Sequence, residues 1–101
     1  MPVTISSQQR HMTAHISGEI DHHCAREIMH ALDREIDSAL PLRLTLDLGG
    51  VTFMDSSGIA VLLRAWRRMK ELEGSLKVEH IPTQPRRVLD AAGVGRIITL
   101  S

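Results

Sequence analysis

Met54-Asp55-Ser56-Ser57-Gly58 is the stretch richest in chemical possibility, with a carboxylate, two hydroxyls and a glycine in consecutive positions. It follows a short apolar lead, Val51-Thr52-Phe53-Met54. After it, Ile59, Leu62, Leu63, Trp66 and Met69 recur at helical spacing. The two hydroxyls therefore fall at a helix start, among backbone N–H groups without intrahelical partners and at the positive end of the helix dipole. Such a place accommodates a phosphate. The same residues also suit a plain N-cap, in which Asp55, Ser56 or Ser57 accepts an N–H and does nothing else.

Other chemistries fit less well. A serine hydrolase needs a nucleophile elbow, and Ser57 is preceded by Asp55-Ser56 where Gly-x-Ser-x-Gly is required. His22, His23 and Cys24 are adjacent, with His11 and His15 upstream, but neighbouring side chains do not converge on one ion. Neither CxxC nor HExxH spacing occurs, so no metal site is expected. Gly49-Gly50 has neither the P-loop lysine nor the dinucleotide-binding spacing, and no cofactor is expected. Arg64, Arg67, Arg68 and Lys70 lie largely opposite the apolar stripe of their helix. A solvated face with an Arg67–Glu71 pair accounts for them.

The elements that must position these residues form one domain spanning residues 1–101. Val3–Ile5 and then Met12, Ala14 and Ile16 alternate as two strands entered through a hairpin, with Gly18 closing the second. Asp21 is placed to cap a helix whose buried face holds Ala25, Ile28, Met29, Leu32 and Ile36, and Pro41 stops it. Leu42–Leu48 alternates strictly and reads as a strand that Gly49-Gly50 breaks. Gly74 is expected just past the end of the second helix, as its C′ residue. Leu76, Val78 and His80 then suggest a strand, Pro85 to Ala92 a short helix, and Ile97–Leu100 a last strand. The class is α/β: a mixed sheet of about five strands against three or more helices.

Twelve basic residues balance twelve acidic ones, and only Phe53 and Trp66 are aromatic. Direct nucleic-acid binding is not expected from such a chain. No apolar run approaches the length of a membrane span, and the N-terminus has no signal-peptide pattern. The single cysteine, Cys24, agrees with a reducing cytoplasm.

The stretch from Leu46 through Gly49-Gly50 and Asp55-Ser56-Ser57-Gly58 to Ile59 resembles the signature of STAS-domain anti-sigma factor antagonists. Gly18-Glu19-Ile20-Asp21-His22-His23 resembles the matching N-terminal signature of the sporulation-type antagonists. The resemblance runs from Met12 to Leu100 and implies a STAS-like α/β fold with no enzymatic activity. It also implies a cytoplasmic partner switch. The unphosphorylated protein binds an anti-sigma factor, itself a serine kinase, and frees the sigma factor. Phosphorylation of Ser57 breaks the complex, and a phosphatase acting on phospho-Ser57 restores it.

Asp55 and Ser56 are then expected to shape the loop, and Gly58 to admit the partner's backbone. Asp21 and His22 are expected to join the partner-binding surface from the same sheet edge. Two departures stand out: Ala60 replaces a frequent glycine, and relatives usually continue past Ser101 into a further helix. Two other classes compete. One is a STAS subunit of a membrane-associated transport complex without phosphorylation, against which the paired serines argue. The other is a sensor module for a nucleotide or other small ligand.

Overall fold

A computed structural model describes residues 3–101. Strand β1 (Val3–Gln8) turns into β2 (His11–Ile20) and pairs with it antiparallel. Gln9 and Arg10 make the turn with φ of 52° and 63°, the left-handed pair that a two-residue hairpin demands. The Arg10 guanidinium also donates to the Leu40 carbonyl, tying the hairpin to the end of the first helix.

Helix α1 (His22–Ala39) leads to β3 (Arg43–Met54), helix α2 (Ser56–Glu71) to β4 (Ser75–Glu79), and α3 (Thr83–Ala91) with one 3₁₀ turn to β5 (Thr99–Leu100). The strand order is β1-β2-β3-β4-β5, and every pair after the first is parallel. Successive parallel connections that step in one direction, each right-handed, place their helices on one face of a sheet. Burial agrees. Met12, Ala14 and Ile16 of β2, Leu44, Leu46 and Leu48 of β3, and Leu76 and Val78 of β4 are buried. They share one core with Ile28, Leu32 and Ile36 of α1 and Val61, Leu62 and Met69 of α2. The alternate strand positions, among them His15, Asp47, Lys77 and Glu79, form an uncovered polar face.

Three local expectations need correction. Gly49-Gly50 does not break its strand: β3 runs on to Met54 and pairs with β2 to the end. The register against β2 shifts between His15 and Ser17 and again between Gly18 and Glu19. These are bulges, and they bring Leu48, Val51 and Met54 to the buried side at every third residue. A Cβ at Gly50 would lie 2.9 Å from the Ser17 Cβ, so the strand crossing needs glycine there. Gly18 likewise lies inside β2, at φ +82°. At the end of α2 the left-handed residue is Glu73, φ 56°, and Gly74 instead makes room for the Leu42 carbonyl.

The basic residues of α2 also behave differently from a free solvated face. Arg64 donates twice to Asp33, and Arg68 reaches Asp33 and Asp37, so two aspartates of α1 bind α2 along its length. Glu71 lies 3.5 Å from Arg68, and that pair replaces the expected one with Arg67. No helix among the described residues is long and apolar enough to cross a membrane.

Candidate functional site: the joined starts of two helices

Ile20 and Met54 are directly paired at the ends of β2 and β3. Because these strands are parallel, both chains leave the sheet at one edge, and each starts a helix there. Asp21 follows Ile20 and caps α1, its carboxylate accepting from the Cys24 N–H at 2.9 Å. Asp55 follows Met54 and caps α2, accepting from the Ser57 N–H at 2.7 Å. The Asp55 N–H in turn donates to the Ile20 carbonyl at 3.2 Å. The two motifs are thus hydrogen-bonded neighbours.

Of the three possible caps in this loop, Asp55 is the one used. Ser56 and Ser57 are the first two residues of α2, the former exposed and the latter half-buried. Gly58 is buried, and its N–H donates to the Asp55 carbonyl. The space a Cβ would occupy at Gly58 is filled by the Met54 side chain. Its lack of a side chain thus serves packing within the chain. His22 is exposed on the first turn of α1. With His23, Arg26, Glu27 and His30 it lines a shallow concavity on that helix. Ala60 is exposed, so its methyl group meets no core.

The electrostatics of the edge follow from these contacts. The Cys24 N–H chiefly holds the Asp21 carboxyl below its ordinary pKa, against a smaller opposing effect of burial. Burial first, then Asp21, pushes the Cys24 thiol pKa up.

Two residues of this edge had no signal in the sequence. Gln84 of α3 clamps the backbone of Met54, its carbonyl accepting from the Met54 N–H and its amide donating to the Met54 carbonyl, both at 2.8 Å. It fixes the strand end from which Ser57 is presented. Phe53 is 42% exposed, an apolar ring beside the loop. Sequence periodicity read it as part of an apolar lead.

The arrangement offers no nucleophile with an adjacent base, but it offers a hydroxyl at an accessible helix start. The pattern of the STAS domain matches residues 3–101. The anti-sigma-B factor antagonist of Bacillus subtilis is 29% identical over 99 residues, covering 98% of this chain and 89% of that protein. Among solved structures, the anti-sigma factor antagonist SpoIIAA in its unphosphorylated form superposes with a TM-score of 0.83 at 21% identity, over 98% of this chain and 87% of that one. The phosphorylated form of the Bacillus cell fate determinant SpoIIAA gives 0.75 at 20% identity, over 98% and 90%. The chain belongs to the STAS-domain family, with the five-stranded mixed sheet and three helices of SpoIIAA.

Proposed function

We propose that this protein is an anti-sigma factor antagonist that works by exchange of partners. Unphosphorylated, it binds an anti-sigma factor that is also a serine kinase, and so releases the sigma factor. Phosphorylation of Ser57 ends the binding, and a phosphatase resets it. The protein is a cytoplasmic binding module with no catalysis of its own. The relatives it matches over most of its length carry the same name.

The observation that carries this reading is the position of Ser57. It is the second residue of α2, on the edge where Asp21, His22 and Asp55 also lie. Phosphate would add a charge of about −1.5 to −2 beside the Asp55 carboxylate. In a partner interface that charge acts by repulsion and desolvation. The contact surface is formed by Asp21, His22, Asp55, Ser56 and Ser57, and Gly58 seats the helix start against Met54.

The test combines phosphorylation with binding. Incubated with ATP and its cognate anti-sigma kinase, the protein should gain one phosphate on Ser57. Ser57→Ala should remain unmodified and still bind. Ser57→Asp should melt like the parent, because acidic groups near a helix start are favourable by roughly 0.3–1 kcal/mol. Its affinity for the kinase should fall, by about 2–5 kcal/mol if the charge is buried unpaired. Phosphate on Ser56 alone, or Ser57→Asp binding as tightly as the parent, sinks the proposal.

A further inference from the structure

We propose that the uncovered face of the sheet holds a site for a divalent metal ion of the zinc class, formed by Asp47, Glu79 and His80, with His15 beside Asp47. This reverses the expectation of no metal centre, which rested on sequence spacing. His15 pairs with Asp47 across β2 and β3, and Asp47 with Glu79 across β3 and β4. Three ligand-type side chains therefore stand in one row over three strands, and His80 follows directly.

The distances fit coordination. The Nδ1 atoms of His15 and His80 lie 3.2 and 3.0 Å from one oxygen of Asp47, Oδ2. Ligand atoms at roughly 2.0–2.2 Å around a tetrahedral zinc ion stand about 3.3–3.6 Å from each other, so a small outward movement of the two imidazoles would admit the ion. Ligand atoms of Asp47, Glu79 and His80 all lie within 4.8 Å of one another.

The site is also built from behind. The Gly49 N–H donates to Asp47 Oδ1 at 2.8 Å, which turns Oδ2 toward the imidazoles, the kind of outer contact that orients a metal ligand. A Cβ at Gly49 would come within 3.0 Å of that same Oδ1. His80 adopts a φ of 56°, uncommon for a residue other than glycine, and with it places Nδ1 against Asp47. A shallow concavity beside the row, bordered by Thr4, Ser17 and Gly50, leaves room for water as a further ligand.

The experiment titrates the full chain with zinc chloride against a chromophoric chelator, with thermal melts in zinc and in EDTA. The parent should bind one ion per chain, and its melting temperature should rise in zinc. Asp47→Asn, which keeps an acceptor for the Gly49 N–H, should weaken binding at least about tenfold and abolish the rise. His80→Ala should do the same. His22→Ala/His23→Ala should bind like the parent. The site is refuted if the parent shows no saturable binding at micromolar zinc, if Asp47→Asn binds unchanged, or if the His22/His23 variant loses the ion.

Discussion

Replacing Gly58 with alanine sets packing against helix propensity, because the two act in opposite directions at this position. Alanine is favoured over glycine inside a helix by up to about 1 kcal/mol. Against that, the new Cβ would stand 2.7 Å from the Met54 sulfur and 2.9 Å from its methyl group, and nearer still to Cγ. Carbon contacts are optimal near 3.5–4.0 Å, so all three atoms must move. Met54 has no exposed surface, and Gln84 holds its backbone at both N–H and carbonyl. The side chain has no open space to retreat into. Overpacking of this kind costs about 1–3 kcal/mol, which leaves a net loss of up to about 2 kcal/mol after the propensity gain. For a domain of this size that lowers the melting temperature by about 4–8 °C per kcal/mol.

Circular dichroism melts and urea titrations of parent and Gly58→Ala measure the loss directly. A cycle with Met54→Ala identifies its cause. That truncation alone should cost about 2–5 kcal/mol. In the double variant the methyl group added at position 58 enters the space Met54 vacates, so the summed losses should exceed the observed one by about 1–2 kcal/mol. Strict additivity would refute the steric explanation. So would a Gly58→Ala protein at least as stable as the parent. In that event the glycine would have to answer to something outside the chain, such as a partner's backbone.

Three further outcomes are expected. Leu46 has no exposed surface and lies in the central strand, so Leu46→Ala should lose about 2–5 kcal/mol in urea unfolding. Gln84→Ala leaves both backbone groups of Met54 without their partner and should cost about 1–3 kcal/mol, with slower phosphorylation of Ser57 as the second readout. The Asp47 carboxyl, with its folded pKa below the ordinary 3.8, contributes stability that is present above that value and lost as pH falls through the folded pKa. In EDTA, Asp47→Asn should therefore be less stable than the parent above about pH 4, and the difference should close as the pH falls below that value.

What could be read in the sequence depended on whether a period survived intact. The alternation Leu44-Thr45-Leu46-Asp47-Leu48 is regular because β3 pairs without interruption to β2 and β4 as far as Asp47, and its three leucines are buried, although Thr45 between them is buried too. Past Leu48 the two bulges convert a period of two into one of three, which matches no element. Gly49-Gly50 then looks like punctuation, although at Gly50 the Ser17 side chain of β2 leaves no room for a Cβ. On α2 the stripe was read about one position off. Val61 and Ala65 are buried with Leu62 and Met69, whereas Ile59, Leu63 and Trp66 lie on the flanks. Trp66 is large enough to stay half-covered there, with the Lys70 ammonium 5.0 Å above its ring. Small residues such as Ala65 carry little hydrophobic weight in a pattern but fit best where helices meet. Gln84 and the His15–Asp47–His80 cluster had no signal at all, since each depends on which strands or helices become neighbours.

The site itself was legible for a different reason. Its two motifs lie far apart in the chain, and one parallel register, Ile20 against Met54, makes them adjacent. Parallel strands send their chains out at the same edge, so any two strand-to-helix junctions in neighbouring strands must meet. What the register could not disclose is which residue caps α2, and that detail shapes the proposed switch. Asp55 takes the Ser57 N–H for its own carboxylate. A phosphate on the Ser57 side chain therefore arrives where one helix-start donor is already used and a negative charge already stands. The dipole of α2 offsets part of the added charge, which keeps the helix intact. The remainder adds negative charge to the sheet edge that Asp21 and His22 share. A modification at this position is thus expected to change what the edge binds far more than how the domain folds.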